Sequence, residues 1–156
     1  MRSVGVIVVV GAAALVIGAL ALTHHRVALS PDRASLRLTP GVINPGVTQA
    51  TIRNTICKRG WTSSIRPPTS FTSNLKLRQM KLYGRTGEPS DYQEDHLVSL
   101  ELGGNPTDPR NLWPEPRPRA ERVDRIENQL NAEICSGHIT LAEGQRRISE
   151  IKHTQG

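Results

Sequence analysis

Apolar residues follow two distinct patterns along the chain. From Val4 to Leu22, after Met1-Arg2-Ser3, they run without a polar interruption. A stretch of about 20 apolar residues is long enough to span a bilayer. It also contains Ala19-Leu20-Ala21, which has the form of a signal cleavage site. Residues 1–22 are therefore expected to be a signal peptide or a retained N-terminal membrane anchor, and either exports the rest. Residues 23–45 hold Pro31, Pro40 and Pro45 and few periodic apolar positions, and are expected to be a linker. The folded domain is expected over residues 46–156.

Within that domain the apolar positions become periodic. Val123, Ile126, Leu130 and Ile134 recur at three- and four-residue steps, which predicts a helix over 119–135 that stops at Gly137. Thr140 and Glu143 form a capping-box pattern opening a last helix to Ile151, with Ala142, Ile148 and Ile151 as its inner face. A helix over 72–83 is expected from Leu75, Gln79 and Leu82 near one face and from Gly84 after the end. Thr48 to Ile56 reads as a short helix. Gly60 to Thr69 contains Arg66-Pro67-Pro68 and reads as extended or turned. Tyr92 to Leu102, closed by Gly103-Gly104, reads as two brief strands around a turn. The class is α+β with a helical majority.

Composition changes this picture in two ways. Aromatic residues make up only 3% of the chain, so the core must be aliphatic and modest, and a small exported domain of that kind often carries a covalent staple. Cys57 and Cys135 are the only cysteines, and in an oxidising compartment they are expected to pair. A metal or catalytic pair is the competing reading, weakened by the absence of a nearby His at ligand spacing. Sixteen of the twenty basic residues are Arg and the net charge is +6. Arg presents a planar fork suited to phosphate, so nucleic acid or an anionic surface is a compatible partner, beside a plain solvated basic face.

The candidate chemistry lies in Glu94-Asp95-His96-Leu97, Gly103-Gly104 and Asn111-Leu112, with His96 and Asn111 fifteen positions apart. Phosphodiester hydrolysis needs an activated water, charge neutralisation at the phosphate and help for the leaving oxygen. A His titrates near neutrality and can act as base, a carboxylate can hold a divalent cation, and an Asn can tie a loop through two donors and one acceptor.

These residues resemble the HNH family of nucleases, also called His-Me finger or ββα-metal nucleases. With Thr55-Ile56-Cys57, Gly60-Trp61-Thr62, Arg66-Pro67-Pro68, Leu100-Glu101-Leu102-Gly103-Gly104, Asn111-Leu112-Trp113-Pro114-Glu115-Pro116 and Cys135-Ser136-Gly137, the chain is similar to an exported bacterial subgroup. The resemblance implies a ββα-metal finger. His96 would be the general base, Asp95 a metal ligand on the first strand, and Asn111 the residue fixing the loop and the orientation of His96. The helix after Trp113 would supply the second ligand to one divalent ion.

The chain departs from that pattern at the helix. Ala120 stands where the final His is often found, and Ser99 where a Pro is common. Asp124 and Glu127, three apart on one helix face, are the candidate replacements, with Glu121 a weaker one. Carboxylates favour Mg²⁺ or Mn²⁺ over Zn²⁺. Arg117, Arg119 and Arg122 are candidate phosphate contacts, or else a solvated helix start. Trp61 and Trp113 are expected to be core anchors rather than base-stacking platforms.

The expected activity is divalent-metal-dependent cleavage of DNA or RNA with little sequence specificity. The alternatives are an inactive nucleic-acid-binding module on the same scaffold and a structural envelope protein tethered through residues 4–22. Membrane contact is expected only through that segment if it is uncleaved, and no protein partner is expected.

Overall fold

Two helices carry the chain's clearest apolar stripes, and each stripe includes one charged residue. A computed structural model describes residues 32–155. In chain order it contains α1 (Trp61–Ile65), α2 (Thr69–Tyr83), β1 (Tyr92–His96), β2 (Leu112–Pro116), α3 (Arg117–Ser136) and α4 (Leu141–Thr154). Short 3-10 turns occupy Ile52–Asn54, Pro89–Asp91, Leu100–Leu102 and Pro109–Asn111. The fold is α+β. The stripe of α3 runs Val123, Glu127, Leu130, Ile134, and that of α4 runs Leu141, Gly144, Ile148, Lys152. Steps of three and four keep each set on one side of its helix. The two stripes close on a core with Val47, Ile52, Ile56, Val98 and Leu102.

The inner face of α4 differs from the expectation. Ala142 is exposed and Ile151 only half-buried, while Leu141, Gly144 and Lys152 face inward. The stripe is set by Ile148 and its neighbours at i−4 and i+4, and a lysine at i+4 does not read as apolar. In α2 the face also turns. Leu75, Gln79, Met80 and Tyr83 are buried and Leu82 is exposed. This helix begins at Thr69, and the Thr72 hydroxyl donates to the Thr69 carbonyl instead of capping the start.

The prolines constrain less chain than expected. Trp61–Ile65 is helical, and the extended stretch shrinks to residues 66–68, with Arg66 at φ −62°, ψ 127° and Pro68 at φ −64°, ψ 149°. The expected helix over 48–56 shrinks to one 3-10 turn.

The strands β1 and β2 pair antiparallel, with Asp95 opposite Trp113 and His96 opposite Leu112. The second strand is thus not inside 92–102. The chain leaves His96, passes two 3-10 turns and returns sixteen residues later at Leu112, and α3 starts directly from β2. Trp113 is fully buried, in a second small core with Ala34, Tyr83 and Leu97. It is a core anchor, flanked by the Arg85 and Arg119 guanidiniums at 5.6 and 5.5 Å from its ring centre.

The domain starts earlier than residue 46. The Ala34 N–H donates to the Lys152 carbonyl (2.9 Å) and the Ser35 N–H to the Tyr83 hydroxyl (3.0 Å). Thr39 is buried against the same hydroxyl at 2.7 Å, and Ile43 bridges to Gly104. Isolated small and polar residues do this packing through hydrogen bonds, without the apolar period that marks an element. The part of the expected linker before residue 32, and the apolar run 4–22, lie outside the described residues. Among the described residues no helix is long and apolar enough to cross a membrane.

Cys57 and Cys135 form the expected disulfide, with 5.6 Å between their Cα atoms. It ties the turn after Ile52–Asn54 to the end of α3, beside the main core. It is compatible with an extracellular location. Closing a loop of 78 residues contributes about 4–5 kcal/mol in the chain-entropy picture.

Candidate active site

Strand β1 delivers Asp95 and His96 to the floor of a cleft, and the loop after it fixes how they sit. The His96 Nε2 lies 3.0 Å from the Pro106 carbonyl oxygen. A carbonyl can only accept, so Nε2 carries the hydrogen and Nδ1 is left as the acceptor of the neutral ring. Burial lowers the His96 pKa, with the Pro106 bond and the Asp95 charge resisting. The ring is therefore a neutral base at neutral pH.

Asn111 ties the loop together, as the resemblance implies for that position. Its Oδ1 accepts from the Val98 N–H at 3.0 Å, and its Nδ2 donates to the Val98 carbonyl (3.0 Å) and the Asn105 carbonyl (2.9 Å). All of its hydrogen-bonding groups are used, and the residue is fully buried. The Gly-Gly pair answers to the same crowding. Gly103 has φ +82°, and a Cβ on Gly104 would sit 1.7 Å from the Val98 carbonyl oxygen.

Beneath His96 is a buried ionic cluster centred on Lys152, which is fully buried. Its Nζ donates to Asp95 Oδ2 at 2.5 Å and to the His96 carbonyl at 2.7 Å. It also lies 2.6 Å from Glu127 Oε1 and 3.7 Å from Glu115 Oε2. Burial alone would raise the Asp95 pKa, but the Lys152 charge overrides it and holds the carboxyl well below its usual range. Burial pushes Glu115 up to about 8 and Glu127 up to about 7, with Lys152 pulling both back. Burial would lower the Lys152 pKa, and the Asp95 and Glu127 charges reverse this and raise it.

Above the cluster opens a cleft of about 290 Å³, lined by Thr62, Arg66, Asp95, His96, Glu101, Asp124, Glu127 and Asn128 among others. It brings together Asp95, His96, Asp124 and Glu127. Asp124 is exposed at the rim and Glu127 buried at the floor. Burial and the neighbouring Asp124 raise the Glu101 pKa, and burial and Asp95 raise that of Asp124. Among the described residues neither carboxylate forms an ion pair.

The three arginines expected at the phosphate are dispersed. Arg119 is 3% exposed and cannot reach a ligand. Its guanidinium pairs with Glu115 at the end of β2 and donates to the Ile151 and Gln155 carbonyls, because the first turn of α3 faces α4. Arg122 is exposed beside Ile126 and Ile151, away from the cleft. Arg117 donates to the Ser90 carbonyl at 2.6 Å and borders a smaller depression next to Glu94. The exposed guanidine in the cleft is that of Arg66.

As arranged, the Asp95 and Glu127 donors do not fit a divalent cation. The Lys152 ammonium sits between them, and the other Asp95 oxygen accepts from Gln93 at 3.2 Å. Among the described residues no three His, Cys, Asp or Glu side chains are grouped as a metal site.

Sequence reasoning missed Lys152 and Arg66 as site residues. The signal for Lys152 was its place four residues after Ile148 on the α4 stripe. For Arg66 it was the Pro-Pro that follows, which ends α1 and turns the chain at the cleft mouth.

No protein-family model, curated protein or solved structure matches the chain.

Proposed function

We propose that the protein is an exported phosphodiesterase acting on nucleic acid, with His96 as the general base on a ββα finger formed by β1, β2 and α3. The observation that carries this reading is the His96 ring. Its Nε2–H is fixed on a backbone carbonyl, its Nδ1 is an acceptor, and it lines a solvent-open cleft beside an arginine. That is what a base needs: one tautomer, one orientation and access to a proton. The motif resemblance places the same residue in the same role.

The chemistry follows from groups in the cleft. His96 Nδ1 takes the proton of the attacking water as its oxygen bonds to phosphorus. The Arg66 guanidinium donates to the non-bridging oxygens, where negative charge gathers. As the bond to the leaving oxygen breaks, that oxygen takes a proton from solvent water in the open cleft, whose wall includes Glu101 and Asp124. No step is routed through a divalent ion, since the donor set does not fit one. The Arg-rich surface would add salt-sensitive, sequence-independent affinity.

The test is cleavage of plasmid DNA and of RNA by the purified full-length chain beside His96→Ala, with Mg²⁺, with Mn²⁺ and with chelator. The reading expects cleavage by the parent and a loss of roughly 100-fold or more in the variant, the usual scale for removing a general base. Equal cleavage by both proteins, or none in any condition, would overturn it. Salt-dependent binding without cleavage would instead identify an inactive binding module.

A further inference from the structure

We infer that Lys152 is the resident cation of this site, so that Asp95, Glu115 and Glu127 hold no divalent ion while it is in place. Carboxylates from β1, β2 and α3 converge on one nitrogen from α4. That convergence is what a cation site looks like, here filled from within the chain.

The contacts of the ammonium support this. An ammonium has three N–H groups. Lys152 Nζ donates to Asp95 Oδ2 and to the His96 carbonyl oxygen and pairs with the Glu127 carboxyl at 2.6 Å. Glu115 Oε2 lies 3.7 Å away, and the other Glu115 oxygen is on Arg119. A divalent ion at these carboxylates would sit within a few ångströms of a fixed positive charge in a poorly solvated interior, where repulsion is strong. The ammonium could not move aside easily, because its stem lies on the buried stripe of α4.

Lys152 is thus a positioning residue. It grips the Asp95 side chain and the His96 backbone together, and so fixes the end of β1 from which the imidazole reaches Pro106. This inference does not depend on the nuclease reading, and its test measures metal occupancy rather than cleavage.

The test titrates the full-length chain with Mn²⁺ alone, following the free Mn²⁺ EPR signal, for the parent, Glu127→Gln, Lys152→Ala and the double variant. The parent and Glu127→Gln should show the same Mn²⁺ affinity, or none. Lys152→Ala should bind Mn²⁺ roughly tenfold or more tightly than the parent, because Asp95 then loses its cation and the ion can displace the protons of the neighbouring Glu115 and Glu127 carboxyls. The double variant should lose that gain. A lysine with a merely structural role would give no gain in metal binding. If Lys152→Ala does not fold, the comparison of the parent with Glu127→Gln decides. Tight binding by the parent that Glu127→Gln abolishes overturns the inference, and any binding that Glu127→Gln leaves unchanged supports it, as does no binding.

Discussion

Glu94 and Asp95 are adjacent carboxylates on one strand, and the protein treats them in opposite ways. Neighbouring side chains on a strand point to opposite faces. Asp95 meets the Lys152 ammonium and stays ionised. Both Glu94 carboxyl oxygens are buried without a hydrogen-bond partner, and burial, with Asp95 beside it, pushes its pKa from 4.5 up to about 8. The nearby Lys76 ammonium is held by the Pro89 and Tyr92 carbonyls, at 2.6 and 3.0 Å, and offsets only part of this. Burial alone therefore does not decide the state of a carboxyl. What sets Asp95 apart is a direct N–H from the Lys152 ammonium; Glu127 and Glu115 lie beside the same cation and are still pushed up to about 7 and 8.

Removing that cation should have the largest effect. Lys152→Met leaves Asp95, Glu115 and Glu127 buried with only Arg119 to balance them. It should cost about 3–5 kcal/mol at pH 7, the scale for orphaning a buried charge, measured by urea unfolding. A loss under 1 kcal/mol would mean the cluster is far better hydrated than its burial implies.

The Glu94 side should respond in the other direction. In the folded protein Glu94 holds its proton more tightly than in the unfolded chain, so its contribution favours folding at low pH. That contribution is lost as pH rises from about 4.5 through about 8. Glu94→Gln should therefore stabilise the protein by about 2 kcal/mol at pH 8, allowing for partial exposure, and change little at pH 4. Thermal melts across that range check it, and an equal effect at both ends would contradict it. Asp95 has the opposite linkage. Its pKa is depressed in the folded state, so its contribution is present above about 3.8 and lost as pH falls further.

Lys76→Met should cost less, about 1 kcal/mol for two backbone carbonyls left without their donor, and should push the Glu94 midpoint further up. The smallest effect concerns His96. Its lowered pKa means that cleavage should rise with pH along a limb centred below 6.5 and then level off. Asp95→Asn removes a charge that raises this pKa, so the limb should move to lower pH, measured on kcat/KM.

Much of the frame was legible because it rests on local rules. Gly84 and Gly137 end helices, Thr140 caps α4 through the Glu143 N–H, and the chain's two cysteines pair. The link between His96 and Asn111 was legible because Asn111 closes the loop that follows His96, through Val98 and Asn105. What escaped was long-range and polar. The Arg119 guanidinium looked like a phosphate contact because it lies early in a helix after a basic run. Its actual partners, Glu115 and the end of α4, depend on how the two helices cross. The segment 34–44 escaped because it packs through single hydrogen bonds to Tyr83, Lys152 and Gly103, which leave no period in the sequence. Lys152 escaped because a charged residue on an apolar stripe ordinarily argues against burial, and its partners come from β1 and α3, far earlier in the chain.

The contrast between the two carboxyls can be read directly from a pH titration of the Glu94 and Asp95 side-chain carboxyl carbons by ¹³C NMR on the folded protein. The account expects Glu94 to titrate with a midpoint near 8 while Asp95 stays ionised at every pH from 4 upward. If both titrate together near pH 4, Lys152 does not set the two faces of β1 apart and the account fails.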